Sequence, residues 1–159
     1  MERAGALNIR AVEARDVDAM LAIQKLSPEI AQWTAYDYER IAHAEMAGWI
    51  AEEADDVAGF LVARRAGPEI EILNLAVRPE KRRTGVGISL FRAVRIWAEG
   101  SGAEQIHLEV RASNQPAVLF YKRCGFLTEG RRPHYYSAPV EDALLLTLRL
   151  TRRPGKIDS

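Results

Sequence analysis

The chain has 159 residues, of which 48% are hydrophobic and 28% charged, a composition typical of one globular domain. Lysine and arginine number 22, as do aspartate and glutamate, and this balance argues against a general nucleic-acid-binding protein, whose surface would be basic. The single cysteine, Cys124, excludes an internal disulfide, and we find no Cys/His metal spacing and no apolar run as long as a membrane span or a secretory signal. The sequence therefore predicts a cytoplasmic enzyme or binding module without a metal site.

The first part of the chain predicts one strand followed by two helices. Residues 8–12 favour a short strand, and apolar residues at helical spacing predict a helix over residues 16–26. Thr34, with Asp37 three residues later, is close to a capping box and predicts the start of a second helix. We expect this helix to continue to about residue 47, because Gly48 provides a stop signal.

The middle of the chain predicts strands first and then alternating helices and strands. Three short strands, over residues 49–53, 57–65 and 69–77, are separated by tight turns and predict an antiparallel meander. An apolar stripe predicts a helix over residues 85–99. The strand over residues 105–111 follows this helix, so we expect it to pair in parallel with an earlier strand.

The last part of the chain predicts one more helix and two strands. Asn114 is a suitable cap for the helix, and Gly125 is a suitable residue just after its end. One strand begins at about residue 126, another covers residues 143–150, and residues 151–159 form a basic tail that we expect to be disordered. The predicted order is βααβββαβαββ, an α/β fold in which a mixed sheet carries helices on its faces, within one domain over residues 1–150.

Residues 82–87, Arg-Arg-Thr-Gly-Val-Gly, follow an apolar strand and directly precede a helix; we call them the glycine turn. Glycine allows close approach of the backbone, and the first N–H groups of a helix have no internal partner, so this junction favours a bound phosphate. Leu90 stands at the third glycine position of a dinucleotide-binding motif, and the Lys-Ser/Thr pair of a Walker A loop is missing. The glycine turn alone also fits a turn that only needs flexible residues.

Glu109 and Tyr121 lie downstream of the glycine turn, the first in a strand and the second on the next helix. Taken alone, Glu109 is typical of a solvated strand carboxylate and Tyr121 of a helical residue with its ring in the core. Their surroundings carry further motifs. These are Asn-Leu-Ala-Val-x-Pro from residue 74, Leu-Glu-Val-Arg-Ala-Ser-Asn from 108, Leu-Phe-Tyr-Lys-Arg-Cys-Gly-Phe from 119, Arg-Arg-x-x-Tyr-Tyr from 131 and Glu-Asp-Ala from 141.

With these motifs and the glycine turn, the chain resembles the GCN5-related N-acetyltransferase (GNAT) superfamily over residues 9–150. It is most similar to the branch that acetylates protein N-termini, of the bacterial ribosomal-protein-alanine (RimI) type. The resemblance implies a mostly antiparallel sheet with a splayed parallel pair, and acetyl-CoA as co-substrate. The implied acetyl-CoA contacts are Leu75, Ala76, Val77, Arg82, Arg83, Thr84, Gly85, Val86, Gly87, Ile88, Asn114 and Tyr121, although one of the two arginines could be plain surface charge.

Acetyl transfer requires that the amine lose a proton, that the oxyanion be stabilised and that the departing thiolate be protonated. An α-amine has a pKa of about 7.7–8.0, so a modest base suffices. Glu109, directly or through a water, is the candidate base, Tyr121 the candidate acid, and a backbone N–H near Ala76 the candidate oxyanion donor. We expect direct transfer in a ternary complex, because Cys124 lies just before Gly125 and is predicted to be a packed, inert thiol.

The resemblance implies that Trp33, Tyr135 and Tyr136 bind the acceptor, a protein or peptide N-terminus such as that of a ribosomal protein. The two tyrosines are predicted in a loop between the last strands, where aromatic packing in a hairpin is the alternative. Gln32 stands where the family has a proline before its tryptophan.

Two other functions remain open from the sequence. An acetyltransferase for a small amine would need acidic residues at the acceptor site, and near the tyrosines the sequence offers only Glu141 and Asp142. A non-catalytic module that binds coenzyme A is the other alternative, against which the presence of Glu109 and Tyr121 argues. No nucleic acid or membrane is expected as a partner.

Overall fold

A computed structural model describes residues 6–42 and 46–150, and the predicted tail over residues 151–159 lies outside them. The described residues follow the predicted order βααβββαβαββ. The strands are β1 (Leu7–Ala11), β2 (Met46–Glu53), β3 (Asp56–Ala66), β4 (Glu69–Val77), β5 (Gln105–Arg111), β6 (Leu127–Ser137) and β7 (Val140–Arg149). The helices are α1 (Val17–Lys25), α2 (Ala35–Glu39), α3 (Val86–Gly100) and α4 (Gln115–Arg123). None of these helices is long and apolar enough to span a membrane.

The strands form one sheet in the order β1-β2-β3-β4-β5-β7-β6. Neighbouring strands are antiparallel except β4 and β5, which are parallel because helix α3 connects them. Their pairing covers only residues 69–71 of β4 and 105–107 of β5. Beyond these residues the two strands separate, and we call the opening the β4/β5 gap. The mixed sheet with one splayed parallel pair confirms the predicted fold class.

Helices cover both faces of the sheet, and each face has its own apolar cluster. One face, which we call the α3 face, buries side chains of α3, α4 and β5, including Leu90, Val94, Val118, Ile106 and Leu108. The other, the α1 face, buries side chains of α1, α2 and β3, including Met20, Ile23, Tyr38, Phe60 and Val62. Successive residues of a strand point to opposite faces, so Glu109 lies on the α1 face.

Helix α2 is shorter than predicted. Its capping box is confirmed, since the Thr34 hydroxyl accepts the N–H of Asp37 at 3.2 Å and the Asp37 carboxylate accepts the N–H of Thr34 at 2.8 Å. A 3-10 turn over Arg40–Ala42 then ends the helix, and β2 begins at Met46, so the predictions of a helix to residue 47 and a strand from residue 49 were wrong.

Gly48 belongs to strand β2 and does not stop a helix. A Cβ atom at this position would lie 2.7 Å from the Cγ2 atom of Val12, so glycine lets the chain after β1 pack against β2. The N–H of Val12 also donates to the carbonyl of Gly48 at 3.0 Å. The pattern of nearby residues could not reveal a contact with a residue so distant in sequence.

The β6–β7 hairpin corrects the predicted position of Tyr135 and Tyr136. Both residues lie within β6, not in a loop, because pairing continues through Tyr136 with Glu141 and Ser137 with Val140. The connection is therefore reduced to residues 138–139, and β7 begins at Val140 rather than at residue 143. The ladder is irregular between Arg132 and Tyr136, so these side chains do not follow simple alternation.

Candidate active site

The β4/β5 gap exposes backbone of β4 next to the glycine turn. Leu75, Ala76 and Val77 pair with β3 on one side but not with β5 on the other. The backbone groups that point into the gap are therefore free to bind an extended ligand. The chain leaves β4 at Val77 and enters α3 at Val86, so the glycine turn lies at the open end of the gap.

The glycine turn has the backbone conformation of an anion-binding helix start. Gly85 caps α3 with φ of 92°, and a Cβ atom there would meet no atom within 4 Å, so the backbone conformation and not crowding requires glycine. The N–H groups of Val86, Gly87 and Ile88 belong to the first turn of α3 and have no helical partner. Together they can bind a pyrophosphate.

Gly87 has a packing role that the sequence analysis missed. A Cβ atom on this residue would lie 3.1 Å from the Cε2 atom of Phe120 on α4. Glycine at this position therefore lets α4 lie close to the start of α3, whether or not it also contacts a ligand.

The two arginines of the glycine turn differ. The side chain of Arg82 turns back toward the segment after α1, where its Nη2 atom donates to Ser27 Oγ at 3.0 Å and lies 3.6 Å from Glu29 Oε1. Its Nε atom donates to the carbonyl of Val77 at 3.3 Å. Arg83 is exposed and has a positive φ of 62°. Of the two, Arg83 is the one whose side chain is available to an anion.

Glu109 lies on the α1 face within a polar cluster from β6. Its Oε1 atom is 3.2 Å from Nε of Arg132, and its side chain is 21% exposed. A hydrogen bond to Glu109 is the main reason why the pKa of Tyr135 lies above its usual value. The carboxylate is thus paired with Arg132 and still reaches solvent, as a base acting on an incoming amine must.

Tyr135 and Tyr136 form an aromatic pair beside this carboxylate. Their ring centroids are 5.0 Å apart in an edge-to-face arrangement. The guanidinium of Arg132 lies 5.7 Å from the ring centroid of Tyr135, and that of Arg111 lies 4.2 Å from the ring centroid of Tyr136. Burial raises the pKa of Tyr136. The structure therefore brings together Glu109 and the two tyrosines that the resemblance assigns to acceptor binding.

Tyr121 lies on the opposite, α3 face of the sheet. Its ring is 6% exposed and packs edge-to-face against Phe120 and Phe126, with centroids 5.1 and 5.3 Å away. Burial raises the pKa of the Tyr121 hydroxyl, so the phenol stays protonated at neutral and moderately alkaline pH. A proton donor on one face and a carboxylate on the other flank the sheet that contains the β4/β5 gap.

Residues 27–34 connect α1 to α2 and include Trp33; we call them the acceptor loop. Gln24 holds Trp33 from both sides, because its amide nitrogen donates to the carbonyl of Trp33 at 2.8 Å and its oxygen accepts the N–H of Trp33 at 2.9 Å. The Tyr38 hydroxyl donates to the same oxygen, and Asn74 donates to Tyr38 at 3.2 Å and to the carbonyl of Ala31 at 3.1 Å.

The sequence alone does not predict that Gln24, Tyr38 and Asn74 hold this loop. A buried polar side chain needs partners, so the amide of Asn74 within an apolar strand was the available signal. Gln32 contributes as well, donating to the carbonyls of Ser27 and Ile30 at 3.2 and 3.0 Å. These bonds restrain the loop where the family's proline is absent.

A cavity of about 290 Å³ opens on the α1 face beside the acceptor loop. Its lining residues are Trp33, Asp37, Arg40, Met46, Arg64 and Leu73. Arg64 lies 3.3 Å from Glu71, which in turn lies 4.0 Å from Nδ1 of His107 on β5. This line of polar side chains connects the cavity with the strand that carries Glu109.

Two further predicted residues have clear local roles. The Asn114 side chain accepts the N–H of Ala117 at 3.3 Å, which confirms it as the cap of α4. Cys124 is half-buried, and burial raises the pKa of its thiol to about 11. A thiol with this pKa is almost fully protonated at neutral pH and is a poor nucleophile. In the described parts of the chain, no cluster of three or more His, Cys, Asp or Glu side chains is arranged to hold a metal ion.

Comparisons with known proteins place these features in context. Residues 16–126 match the Acetyltransferase (GNAT) family. An N-alpha-acetyltransferase of Sulfurisphaera tokodaii is 32% identical over 157 residues, covering 89% of this chain and 92% of the relative. The ribosomal-protein-S18-alanine N-acetyltransferase of Escherichia coli has a similar structure, with a TM-score of 0.84, 24% identity and coverage of 96% and 99% of the two chains. Arabidopsis thaliana NAA60 in complex with acetyl-CoA has a TM-score of 0.82 at 19% identity, with coverage of 91% and 99%.

Proposed function

This chain belongs to the Acetyltransferase (GNAT) family and is an N-acetyltransferase; we propose that it transfers the acetyl group of acetyl-CoA to the N-terminal α-amine of a protein. The observation that carries the proposal is the position of Glu109, beside Tyr135 on the face that also carries the acceptor loop. The N-alpha-acetyltransferase relative supports an α-amine as the acceptor. The protein would act in the cytoplasm.

Acetyl-CoA fits the free backbone of the β4/β5 gap and the start of α3. The pyrophosphate would accept the first N–H groups of α3, with Arg83 adding charge-assisted contact. The pantetheine arm would bond to the gap-facing backbone of Leu75, Ala76 and Val77. The neighbouring structure that binds acetyl-CoA supports this choice of donor.

The two side chains that take part in the reaction are Glu109 on the α1 face and Tyr121 on the α3 face. Glu109 accepts a proton from the acceptor amine, directly or through a water, and the amine nitrogen then attacks the thioester carbon. A backbone N–H near Ala76 stabilises the oxyanion, and the carbon–sulfur bond breaks as the amide forms. Tyr121 donates a hydrogen bond to the departing sulfur, and the second proton that the amine nitrogen loses as the amide forms passes through solvent to the thiolate, so that coenzyme A leaves as the free thiol. The acetyl group passes directly to the amine, without an acyl-enzyme.

A small polyamine is a poorer candidate for the acceptor. Glu141 and Asp142 are already engaged, since Glu141 accepts the N–H of Ser113 at 2.6 Å and Asp142 lies 3.0 Å from Nε of Arg131. A ribosomal protein is the more specific proposal, supported by the E. coli enzyme whose fold this chain shares.

The proposal is tested with acetyl-CoA and a panel of short peptides that differ in their first residue, alanine included. We expect release of coenzyme A and a mass increase of one acetyl group at the N-terminus. The matched control is the same alanine peptide with a blocked N-terminus and an internal lysine, which should remain unmodified. Turnover of spermidine but of no peptide would contradict the proposal, as would acetyl-CoA binding without turnover of any acceptor.

Replacement of Cys124 by alanine should leave kcat within about twofold of the wild type, because its protonated thiol takes no part in direct transfer. Steady-state kinetics with the best peptide measure this. A loss of catalysis together with an acetylated Cys124 in the wild-type enzyme, found by mass spectrometry before the peptide is added, would instead indicate an acyl-enzyme.

A further inference from the structure

We propose that Arg82 is a positioning residue that holds the acceptor loop against the glycine turn, so that binding of acetyl-CoA strengthens binding of the acceptor. The inference rests on the proposed function, because it concerns the acceptor that the enzyme acetylates. It also departs from the expectation that Arg82 binds the pyrophosphate.

The contacts of Arg82 join two segments that are far apart in sequence. Its Nη2 atom donates to the hydroxyl of Ser27, a residue that is only 1% exposed at the start of the acceptor loop. The same guanidinium lies 3.6 Å from Glu29 within the loop, while its Nε atom donates to the carbonyl of Val77 at the end of β4. One planar side chain therefore contacts the loop and the strand at once, which a lysine cannot do with a single nitrogen.

The acceptor loop has independent restraints at its other end. Trp33 is held by Gln24, and Ala31 by Asn74. The N–H of Ile30 donates to the carbonyl of Ser27 at 3.2 Å, so movement at Ser27 is transmitted into the loop. With both ends held, the position of the acceptor loop relative to β4 is set by Gln24 of α1 and Asn74 of β4 at one end and by Arg82 at the other.

Arg82 begins the glycine turn whose backbone would bind the pyrophosphate. A ligand on the N–H groups of the first turn of α3 restricts the backbone of that turn and, with it, the Arg82 side chain. Restricting Arg82 favours the loop position in which Ser27 and Glu29 are engaged. Thermodynamic linkage then requires that each substrate improve the binding of the other by the same factor.

Three variants separate this role from pyrophosphate binding. Arg82→Lys keeps the positive charge but loses the bridge, Ser27→Ala removes the acceptor of the bridge, and Arg83→Ala removes the neighbouring charge. We expect the first two to raise the acceptor KM, measured at saturating acetyl-CoA, about three- to tenfold, the factor that corresponds to one lost hydrogen bond. The Kd of acetyl-CoA measured without acceptor should stay nearly unchanged, because the coupling acts only when both substrates are bound. Arg83→Ala should instead raise the Kd of acetyl-CoA and leave the acceptor KM nearly unchanged.

A second measurement does not depend on turnover. In the wild type, coenzyme A should slow hydrogen exchange at the N–H groups of Ile30 and Trp33, which are both hydrogen-bonded within or next to the loop. In Arg82→Lys, saturating coenzyme A should no longer slow hydrogen exchange at these N–H groups. In Arg83→Ala it should still slow this exchange.

The two measurements distinguish failure of the inference from failure of the proposed function. If Arg82→Lys leaves both the acceptor KM and the exchange response unchanged while peptides are acetylated, the positioning role is wrong. It is also wrong if Arg82→Lys raises the Kd of acetyl-CoA, measured without acceptor, as much as Arg83→Ala does. If the exchange response depends on Arg82 but no peptide is ever acetylated, the link between loop and turn stands and the proposed acceptor is wrong.

Discussion

Replacing Glu109 by glutamine is expected to lower kcat/KM for a peptide acceptor by about 100- to 1,000-fold at pH 7. Glutamine has the same shape and can still accept a hydrogen bond from Tyr135, so the neighbouring contacts are disturbed little. It cannot accept a proton from the amine. Because the side chain of Glu109 is partly exposed, the loss of its charge should not unfold the protein.

The pH dependence of this deficit identifies the base. An α-amine has a pKa of about 7.7–8.0, so its neutral fraction rises several-fold between pH 7 and pH 9. The Glu109→Gln enzyme can react only with amines that are already neutral, whereas the wild type can also use protonated amines. The deficit should therefore shrink several-fold over this range. A deficit that stays constant with pH would indicate that Glu109 only holds Arg132 and Tyr135.

Glu71→Gln is the matched control for this experiment. Glu71 lies on the same face of the sheet and is also a partly exposed strand carboxylate with an arginine partner, Arg64 at 3.3 Å. We expect kcat/KM within about threefold of the wild type, since removal of a partly exposed ion pair has a small effect. An equal loss of kcat/KM in Glu109→Gln and Glu71→Gln would mean that activity depends on the total negative charge of the α1 face and not on Glu109 in particular.

The parts of the fold that the sequence predicted well are those determined by neighbouring residues. The bounds of β5 follow from strict alternation and those of β4 from its apolar run after a Gly-Pro turn, and the capping box of Thr34 and the cap at Asn114 involve partners three residues away. The start of α3 likewise follows from Gly85 and the apolar stripe behind it. Local periodicity and capping chemistry are sufficient for such elements.

The features that sequence reasoning missed depend on distant partners. Gly48 is a strand residue whose lack of a side chain makes room for Val12, and Arg82 contacts a serine 55 residues away in sequence. Tyr135 and Tyr136 extend a strand because β7 pairs with β6 up to a two-residue turn. Glu109 and Tyr121 were recognised as candidate residues, but their location on opposite faces of the sheet became clear only from the packing around each of them.

The second large effect is expected for Tyr121→Phe, which should lower kcat about tenfold to a hundredfold with little change in either KM. Burial raises the pKa of this phenol, while a thiol has a pKa of about 8.5, so full proton transfer from Tyr121 to a free thiolate is uphill. The side chain is therefore best suited to donate a hydrogen bond as negative charge develops on sulfur. Because the pKa of Tyr121 lies above its usual value, the phenol should stay protonated between pH 8 and pH 9.5. Its ionisation should therefore not reduce wild-type activity over this range.

The test must separate this hydrogen bond from the packing of the ring. Phenylalanine keeps the edge-to-face contacts with Phe120 and Phe126, so the free energy of unfolding, measured by denaturant titration, should change by less than about 1 kcal/mol. Tyr136→Phe is the control for loss of a phenol elsewhere, and because Tyr136 lies on the acceptor side we expect it to raise the acceptor KM more than it lowers kcat. An unchanged kcat in Tyr121→Phe would assign Tyr121 to the core alone, and the negative charge on the departing sulfur would then have to be stabilised by water.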